Sequence, residues 1–150
     1  MKFLQRLFPP AAFFGGRFEA LPAGCFQWLR GLDGRLEGAA WESESARYLW
    51  AGTILPRCLG GTPKIQAEEV WGEFESLLVR QGMNVRHIVR TWFYNDHILD
   101  WYGDFNDVRT AFFKKHDVFG HYVPASTGIG VSNQMGAALC AGFIAVSPKG

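Results

Sequence analysis

A helix flanked by two strands, between residues 47 and 94, constrains the fold of this chain most. In Ile65–Gln81 apolar residues recur at helical spacing while glutamates occupy the other faces, and Gly82 is placed to end the helix. The segment Arg47–Leu55 is predicted to be a buried strand, and Val85–Tyr94 a strand whose two faces are both partly apolar. The pattern therefore predicts a βαβ unit with two parallel strands and a right-handed crossover.

A second helix is predicted to begin at Asp104. Its side chain is placed to cap the first turn, and Asp107 stands three residues later, as in a capping box. The predicted buried stripe of this helix is Phe105, Val108 and Phe112. The basic groups that would offset the helix dipole at its end are Lys114, Lys115 and His116.

The two ends of the chain carry further strand signals. Asp33-Gly34, between Cys25–Arg30 and Arg35–Trp41, is the turn chemistry of a β-hairpin. Two glycine-rich strands, Pro124–Val131 and Ala137–Val146, are predicted to close the chain. We therefore divide the chain into an N-terminal segment with a possible hairpin, residues 1–44, and one domain, residues 45–150.

Composition excludes several function classes. A length of 150 residues with 48% hydrophobic and 19% charged residues is typical of one globular domain. Fifteen basic residues oppose fourteen acidic ones, so the formal net charge is only +1 and no basic tract is present. A nucleic-acid partner is therefore not expected.

Cysteine spacing and the N-terminus predict a cytoplasmic protein. Cys25, Cys58 and Cys140 are widely spaced and form no C-x-x-C motif, so neither a disulfide framework nor a zinc site is predicted. Arg6 and Pro9-Pro10 interrupt the apolar start of the chain, unlike in a secretory signal. No apolar run approaches the roughly 18 residues of a membrane span. We expect no metal, no cofactor and no membrane association.

The segment from Arg90 to Gly130 mixes hydrogen-bonding and cationic side chains with large apolar ones. Small-molecule pockets have this composition, so we predict a binding site here. The alternative is an aromatic core with an exposed arginine. The candidate site residues are Arg90, Trp92, Tyr94, Tyr102, Asn106, Arg109, Ser126, Thr127 and Cys140.

The cationic and phenolic candidates each have an ordinary structural alternative. Arg109 is either an anchor for an anion or a solvated helix arginine. Arg90 is either a second anchor or a cation stacked on aromatic rings at an edge. Tyr94 and Tyr102 either donate hydrogen bonds to a ligand or place their hydroxyl groups at the core margin.

The nucleophilic candidates lack an activating motif. Ser126 and Thr127 are not part of a Gly-x-Ser-x-Gly elbow, so ordinary strand hydroxyls are the simpler interpretation. Cys140 lies in an apolar strand and is predicted to be a packed thiol. The four histidines show no metal-ligand spacing.

The order of these motifs resembles the Rid superfamily, also called YjgF or L-PSP endoribonucleases. The resemblance covers Ser45 to Pro148 and is closest to the chorismatase-like branch. That branch has the strand motif Arg-Thr-Trp, here at Arg90, and a Pro-Ala strand, here at Pro124. Its helix carries Tyr, then Phe-Asn, then Arg, and the matching residues here are Tyr102, Phe105, Asn106 and Arg109.

The resemblance implies an α+β, chorismate-mutase-like domain with two α-helices on one face of a mixed β-sheet. It also implies a homotrimer that binds small molecules in clefts between subunits. The expected ligand is a small metabolite with a carboxylate. The endoribonuclease activity in the family name is not expected, because the chain has no basic patch.

Two departures from the pattern argue against the usual Rid deaminase reaction. Deaminases have Pro-Ala-Arg-Ser, in which the arginine pairs with the substrate carboxylate, and here that position is Ser126. They also use a glutamate on the last strand, whereas no residue after Asp117 is Asp or Glu. An enamine or imine deaminase is therefore not predicted.

The resemblance also implies a hydrolase of the chorismatase type as the catalytic interpretation of the motifs. Chorismatases resemble two such domains in one longer chain, and they protonate an enol ether with a carboxylic acid before water adds. If this chain is an enzyme, its acid must be Asp96, Asp100 or Asp104, or a residue of another subunit. The alternative is a non-catalytic binding or regulatory module.

Overall fold

Six strands form one mixed sheet, and two long helices cover one of its faces. The elements are β1 Phe26–Arg30, β2 Leu36–Glu42, β3 Ala46–Ile54, α1 Pro63–Arg80, β4 Ile88–Asn95, α2 Ile98–Lys115, β5 Ala125–Gly130 and β6 Leu139–Pro148. This computed structural model describes residues 26–31 and 34–150, and its strand order is β1-β2-β3-β6-β4-β5. Only β4 and β5 are parallel neighbours; the other pairs are antiparallel. The predicted α+β class, with two helices on one face of a mixed sheet, is confirmed.

The strands of the predicted βαβ unit are parallel but are not neighbours. β3 and β4 are each antiparallel to β6, so they run in the same direction on either side of it. The C-terminal strand thus lies between the two strands that α1 connects. The local pattern predicted the strand direction, whereas the insertion of β6 depends on pairing with a distant segment.

Helix α1 forms where the apolar periodicity predicts it. It begins at Pro63 because Thr62 caps it, its hydroxyl accepting a hydrogen bond from the Ile65 N–H at 3.3 Å. Gly82 follows the helix with φ of +65°, a left-handed conformation that glycine adopts readily. The predicted end of the helix is therefore confirmed.

Helix α2 begins at Ile98 and not at Asp104, so the predicted cap and capping box are wrong. The backbone of Trp101 departs from helical geometry, with φ of −140° and ψ of 19°, and the helix is kinked there. A local side-chain contact stabilises the extra turn, since Trp101 Nε1 donates a hydrogen bond to the Asp96 carbonyl at 2.9 Å. Asp104 lies inside the helix, with its carboxylate 3.5 Å from Lys64 Nζ on α1.

The core lies between the helices and the sheet and is centred on Trp71. The Trp71 ring packs on Phe74, Phe93, Phe112 and Phe113 with centroid distances of 4.7 to 5.4 Å. The predicted apolar stripes of both helices are buried here. Burial of so many large rings supplies a major part of the hydrophobic stabilisation.

The N-terminal hairpin is continuous with the rest of the sheet. β1 and β2 are antiparallel, with Phe26 opposite Trp41, and Gly34 has φ of +75° in the turn between them. β2 pairs with β3, so the boundary predicted between residues 44 and 45 falls inside one sheet. Residues 1–25 and 32–33, which include the Asp33 of the predicted turn, lie outside the described residues.

The strand predicted over Val85–Tyr94 begins later. Val85–His87 form a 3₁₀ turn, and the register of β4 against β6 shifts between Ile88 and Arg90. This bulge turns Ile88 into the core, where it is 1% exposed, although simple alternation places it on the same face as Arg90. The predicted alternation holds from Arg90 onward.

The face of the sheet opposite the helices, here called the outer face, carries many aromatic side chains. Trp41 and Tyr48 are stacked there, with centroids 5.3 Å apart and planes inclined by 7°. Phe26 packs on Trp41 at 6.4 Å, and Trp28 is 43% exposed. An exposed apolar face of this kind indicates an interaction surface.

Candidate functional site

Three predicted site residues lie side by side on the outer face of β4. Arg90, Trp92 and Tyr94 are at least partly exposed, while the residues that alternate with them are buried beneath the helices. The guanidinium carbon of Arg90 is 5.2 Å from the centroid of the Trp92 ring. Arg90 Nη2 donates a hydrogen bond to Thr127 Oγ1 at 3.1 Å, so Thr127 of β5 belongs to the same cluster.

Arg90 has no acidic partner within residues 26–31 and 34–150. Its contacts are a neutral hydroxyl and an aromatic ring, which leave guanidinium N–H groups available. The planar fork of arginine matches the two oxygens of a carboxylate. This cluster can therefore bind a carboxylate beside a flat, apolar wall.

Cys140 extends the cluster onto β6. It lies directly opposite Tyr94 in the antiparallel pair and is half-buried. Burial raises the pKa of the Cys140 thiol, which therefore remains protonated near neutral pH. This agrees with a packed thiol and argues against a thiolate nucleophile.

Beside Cys140, the backbones of β3 and β6 approach each other closely at Gly52 and Gly142. Sequence analysis missed this feature. β3 is irregular between Ala51 and Ile54, and the carbonyl oxygens of Ala51 and Gly52 lie close over Gly142. A Cβ at Gly142 would be 2.4 Å from the Gly52 oxygen and 2.8 Å from the Ala51 oxygen, so a side chain does not fit. Glycine inside a strand indicates such a bulge, and this signal was present in the sequence.

The remaining helical candidates form a stripe along one flank of α2. Tyr102, Asn106 and Arg109 recur at i, i+4 and i+7. The ion pairs that join the opposite flank to α1 are Lys64 with Asp104 and Lys115 with Glu75. The stripe consequently faces away from α1, toward the edge strand β5.

The polar groups of this stripe are largely unsatisfied. Asn106 Nδ2 donates a hydrogen bond to the Tyr102 carbonyl at 3.0 Å, whereas Asn106 Oδ1 is buried with no partner among the described residues. Arg109 is half-buried and makes no hydrogen bond or ion pair in the same part of the chain. Buried polar atoms are nearly always hydrogen-bonded in proteins, so Asn106 Oδ1 is a candidate acceptor for a donor group of a ligand.

The sheet separates the predicted site residues into two groups. Ser126 lies on the helix side of β5, where its hydroxyl accepts a hydrogen bond from Thr91 Oγ1 at 3.0 Å. The outer group is Arg90, Trp92, Tyr94, Thr127 and Cys140, and the helix-side group is Tyr102, Asn106, Arg109 and Ser126. Both groups border β5, whose other edge pairs with no strand of residues 26–31 and 34–150. One chain therefore supplies two half-sites that meet only around this edge.

The acidic residue at the end of β4 is already engaged. Asp96 Oδ1 accepts a hydrogen bond from Ser132 Oγ at 2.6 Å and lies 2.8 Å from His97 Nδ1. These contacts, the Ser132 hydrogen bond first, lower the pKa of the Asp96 carboxyl. A carboxyl with a lowered pKa remains ionised at neutral pH and is a poor proton donor.

The described ranges contain neither a metal-binding cluster nor a membrane-spanning helix. No group of three or more His, Cys, Asp or Glu side chains in 26–31 and 34–150 is arranged to hold a metal ion. No helix in these ranges combines the length and the apolar character needed to cross a bilayer.

The fold is similar to that of several solved structures. The YjgF-family protein NMB1025 of Neisseria meningitidis has a TM-score of 0.65 at 16% identity, with 83% of this chain and 97% of that chain covered. Rv2704 of Mycobacterium tuberculosis, from the YjgF/YER057c/UK114 family, has a TM-score of 0.64 at 14% identity, covering 81% and 99%. E. coli TdcF, determined with bound serine, has a TM-score of 0.63 at 18% identity, covering 79% and 91%.

These comparisons establish the fold alone. No family model and no curated protein matches the sequence. At identities of 14 to 18% the shared feature is the backbone arrangement, which the sequence motifs predicted.

Proposed function

We propose that this chain is a Rid-superfamily protein of the chorismatase-like branch that binds a small carboxylate-bearing metabolite between the subunits of a homotrimer. The observation that carries the proposal is the guanidinium of Arg90, which lies over Trp92 on the outer face without an acidic partner in the described residues. A carboxylate would satisfy it. Among proteins of this fold, TdcF holds serine, which carries a carboxylate.

Self-association would cover the outer face and complete the site. Trp28, Tyr94 and Ile129 are 43%, 38% and 42% exposed, so a second copy would remove large apolar surfaces from water. A neighbour seated around the free edge of β5 would also complement the two half-sites. A trimer is expected from the resemblance, and the mass in solution tests it by sedimentation. A stable monomer at micromolar concentration would leave no cleft between subunits and would refute the proposal.

The ligand class can be tested by calorimetric titration with small keto and unsaturated carboxylic acids, beginning with pyruvate and chorismate. Loss of a charged hydrogen bond costs about 1.5–3 kcal/mol, so Arg90→Gln should weaken binding about 10-fold or more. Arg57→Gln is the matched control, because Arg57 is an exposed loop arginine that pairs with Glu73. Equal affinity of the Arg90 variant and the control would rule out the anchor.

The helix-side group is tested separately with Arg109→Gln. If a neighbouring subunit brings this flank to the ligand, the variant should also weaken binding while the trimer mass stays unchanged. Unchanged affinity would limit the site to the outer group. In that case the ligand would be bound by one subunit.

A chorismatase-like hydrolysis of an enol ether is the catalytic form of this proposal. It needs a carboxylic acid to protonate the enolpyruvyl group. Asp96 has a lowered pKa, Asp104 pairs with Lys64, and no acidic residue follows Asp117 in the sequence. The acid would have to come from Asp100 or from another subunit. Incubation with chorismate at high protein concentration tests whether the chain catalyses this hydrolysis. The products to assay are hydroxybenzoates and dihydrodiols, and their absence would exclude the catalytic form.

A non-catalytic binding or regulatory module is the alternative, and the engaged acids favour it. Binding without turnover of chorismate would support the module. Neither form uses Rid-type deamination, because Ser126 replaces the clamp arginine and β6 has no carboxylate.

A further inference from the structure

A groove opens where the helical layer ends, at the other end of the sheet from Arg90. β1 and β2 extend beyond the C-terminal end of α1 and leave a concavity of about 590 Å³ between them and the helix. This volume lies within the range of small-molecule sites. The residues that matter for its chemistry are Gln27, Glu42, Arg47, Arg80, Gln81 and Gly82.

The groove lies on the helix side of the sheet. Arg47 points there because Leu49, two residues farther along β3, is fully buried beneath the helices. The outer group lies on the opposite face, around β4 and β5. Assembly through the outer face would therefore leave the groove open, and its function does not depend on the proposed cleft.

Arg47 is held in place but retains donors. Its Nε donates a hydrogen bond to Glu42 Oε1 at 2.7 Å, and its Nη1 donates to the Gln81 carbonyl at 3.1 Å. A guanidinium has five N–H groups, and these two hydrogen bonds use only two of them. The Nη2 group has no partner in the described part of the chain. The first two contacts orient the guanidinium and leave one side of it available.

Arg80 supplies a second guanidinium to the same groove. Its Nη2 donates a hydrogen bond to Glu37 Oε2 at 2.6 Å, and its Nε and Nη1 groups have no partner among residues 26–31 and 34–150. The side-chain amides of Gln27 and Gln81 are likewise without hydrogen-bond partners in these ranges. Two guanidinium groups and two amides thus offer donors to one concavity.

The charge of the groove favours an anion. Each arginine of the groove is paired with one carboxylate, Arg47 with Glu42 and Arg80 with Glu37. Glu42 also lies 2.8 Å from Lys149 Nζ, so three cations oppose two carboxylates. The C-terminal carbonyls of α1 would repel an anion, but the Gln81 carbonyl is occupied by Arg47 and the Leu78 carbonyl by the Met83 N–H. With Lys149 included, this cluster therefore keeps one excess positive charge.

We propose that this basic groove is a second ligand site, which takes a small polar anion carrying a carboxylate or a phosphate. The acid group binds the free N–H groups of Arg47 and Arg80, whose planar forks suit both kinds of acid. The amides of Gln27 and Gln81 bind the polar remainder of the ligand. The site is separate from the outer group in position and in residues.

Titration of the full chain with citrate and, separately, with inorganic phosphate tests the groove. We expect saturable binding of at least one of them by calorimetry, and the arm that responds identifies the acid as carboxylate or phosphate. Arg80→Gln should weaken that binding about 10-fold or more, because charged hydrogen bonds are lost. Arg80 is the residue of choice because it pairs only with Glu37 in the described residues, so its replacement should leave the fold intact by circular dichroism.

Two matched arginine variants make the result specific. Arg57→Gln, which changes an exposed arginine outside the groove, should bind as the original chain does, and Arg90→Gln should keep the binding step that Arg80→Gln loses. Equal losses in the Arg57 and Arg80 variants would mean non-specific charge attraction, and a loss in the Arg90 variant alone would place the anion in the outer group. Either result, or no saturation at about 10 mM of both probes, overturns the proposal.

Discussion

Gln66 is the polar residue whose replacement should disturb this fold most. It lies in the first turn of α1 and is 4% exposed. Its Nε2 donates hydrogen bonds to the Leu59 carbonyl at 3.0 Å and the Gly61 carbonyl at 2.9 Å, and its Oε1 accepts one from the Ala138 N–H at 2.8 Å. One amide thus joins the loop before α1 to the residue before β6.

Gln66→Leu keeps the approximate size of the side chain and removes all three hydrogen bonds. An unsatisfied buried group costs about 1–3 kcal/mol, and part of this is recovered because the loop carbonyls are only part-buried and can be hydrated. We therefore expect a loss of about 2–4 kcal/mol in the free energy of unfolding. Urea denaturation at one fixed protein concentration measures it, because self-association makes stability depend on concentration.

Gln66→Glu and Gln134→Leu complete this experiment. The glutamate keeps the acceptor, loses both donors and adds a buried charge, so it should destabilise at neutral pH more than leucine does. Gln134 is exposed, and its replacement by leucine should change stability by no more than about 0.5 kcal/mol. If Gln66→Leu is as stable as Gln134→Leu, the three hydrogen bonds do not hold the loop and our reasoning is wrong.

Three further changes test other parts of the structure. Gly142→Ala should destabilise by about 2 kcal/mol or more in the same assay, because the new Cβ meets two backbone oxygens of β3; unchanged stability would contradict the close approach. Gly72→Ala should instead stabilise by about 0.5–1 kcal/mol, because Gly72 is exposed on α1 and no atom lies within 4 Å of the added Cβ. Destabilisation would argue against a regular helix there. The hydrogen bond from Lys115 lowers the pKa of Glu75 below the usual 4.5, so this contact stabilises the fold above about pH 4.5 and is lost as the pH falls below it. Glu75→Gln should therefore flatten the loss of stability between about pH 5 and 3, and an unchanged pH profile would show that the contact contributes nothing.

Much of the fold could be predicted because its elements are local. The helical periodicity before Gly82 placed α1 to within two residues, and the turn signal near Gly34 placed the hairpin. The first turn of α2 could not be predicted in this way. It is a short turn before a kink, stabilised by the hydrogen bond from Trp101 to the Asp96 carbonyl, and the strongest local capping signal lay six residues later at Asp104.

Sequence patterns predicted which face of a strand some candidate residues share, but not how the strands approach one another. Alternation along β4 placed Arg90 and Trp92 on one face correctly. The close approach of β3 to Gly142 was missed because the sequence of one strand does not reveal that a bulge in another strand will lie over it. Whether the candidates bind a ligand stays a prediction for the titrations above.

The sequence by itself determined most of both helices, most strands, the parallel direction of β3 and β4 and the chemistry available to the site, because periodicity, capping and turn residues act over a few neighbouring positions. Only the tertiary structure decided that β6 lies between β3 and β4, and that Arg90 and Arg109 are on opposite sides of the sheet. Strand order and register depend on hydrogen bonds and packing between distant segments, and a pattern within one segment cannot encode its partner. Arg47 and Arg80 are far apart in sequence, and they share one groove only because α1 ends beside β3 in the folded chain.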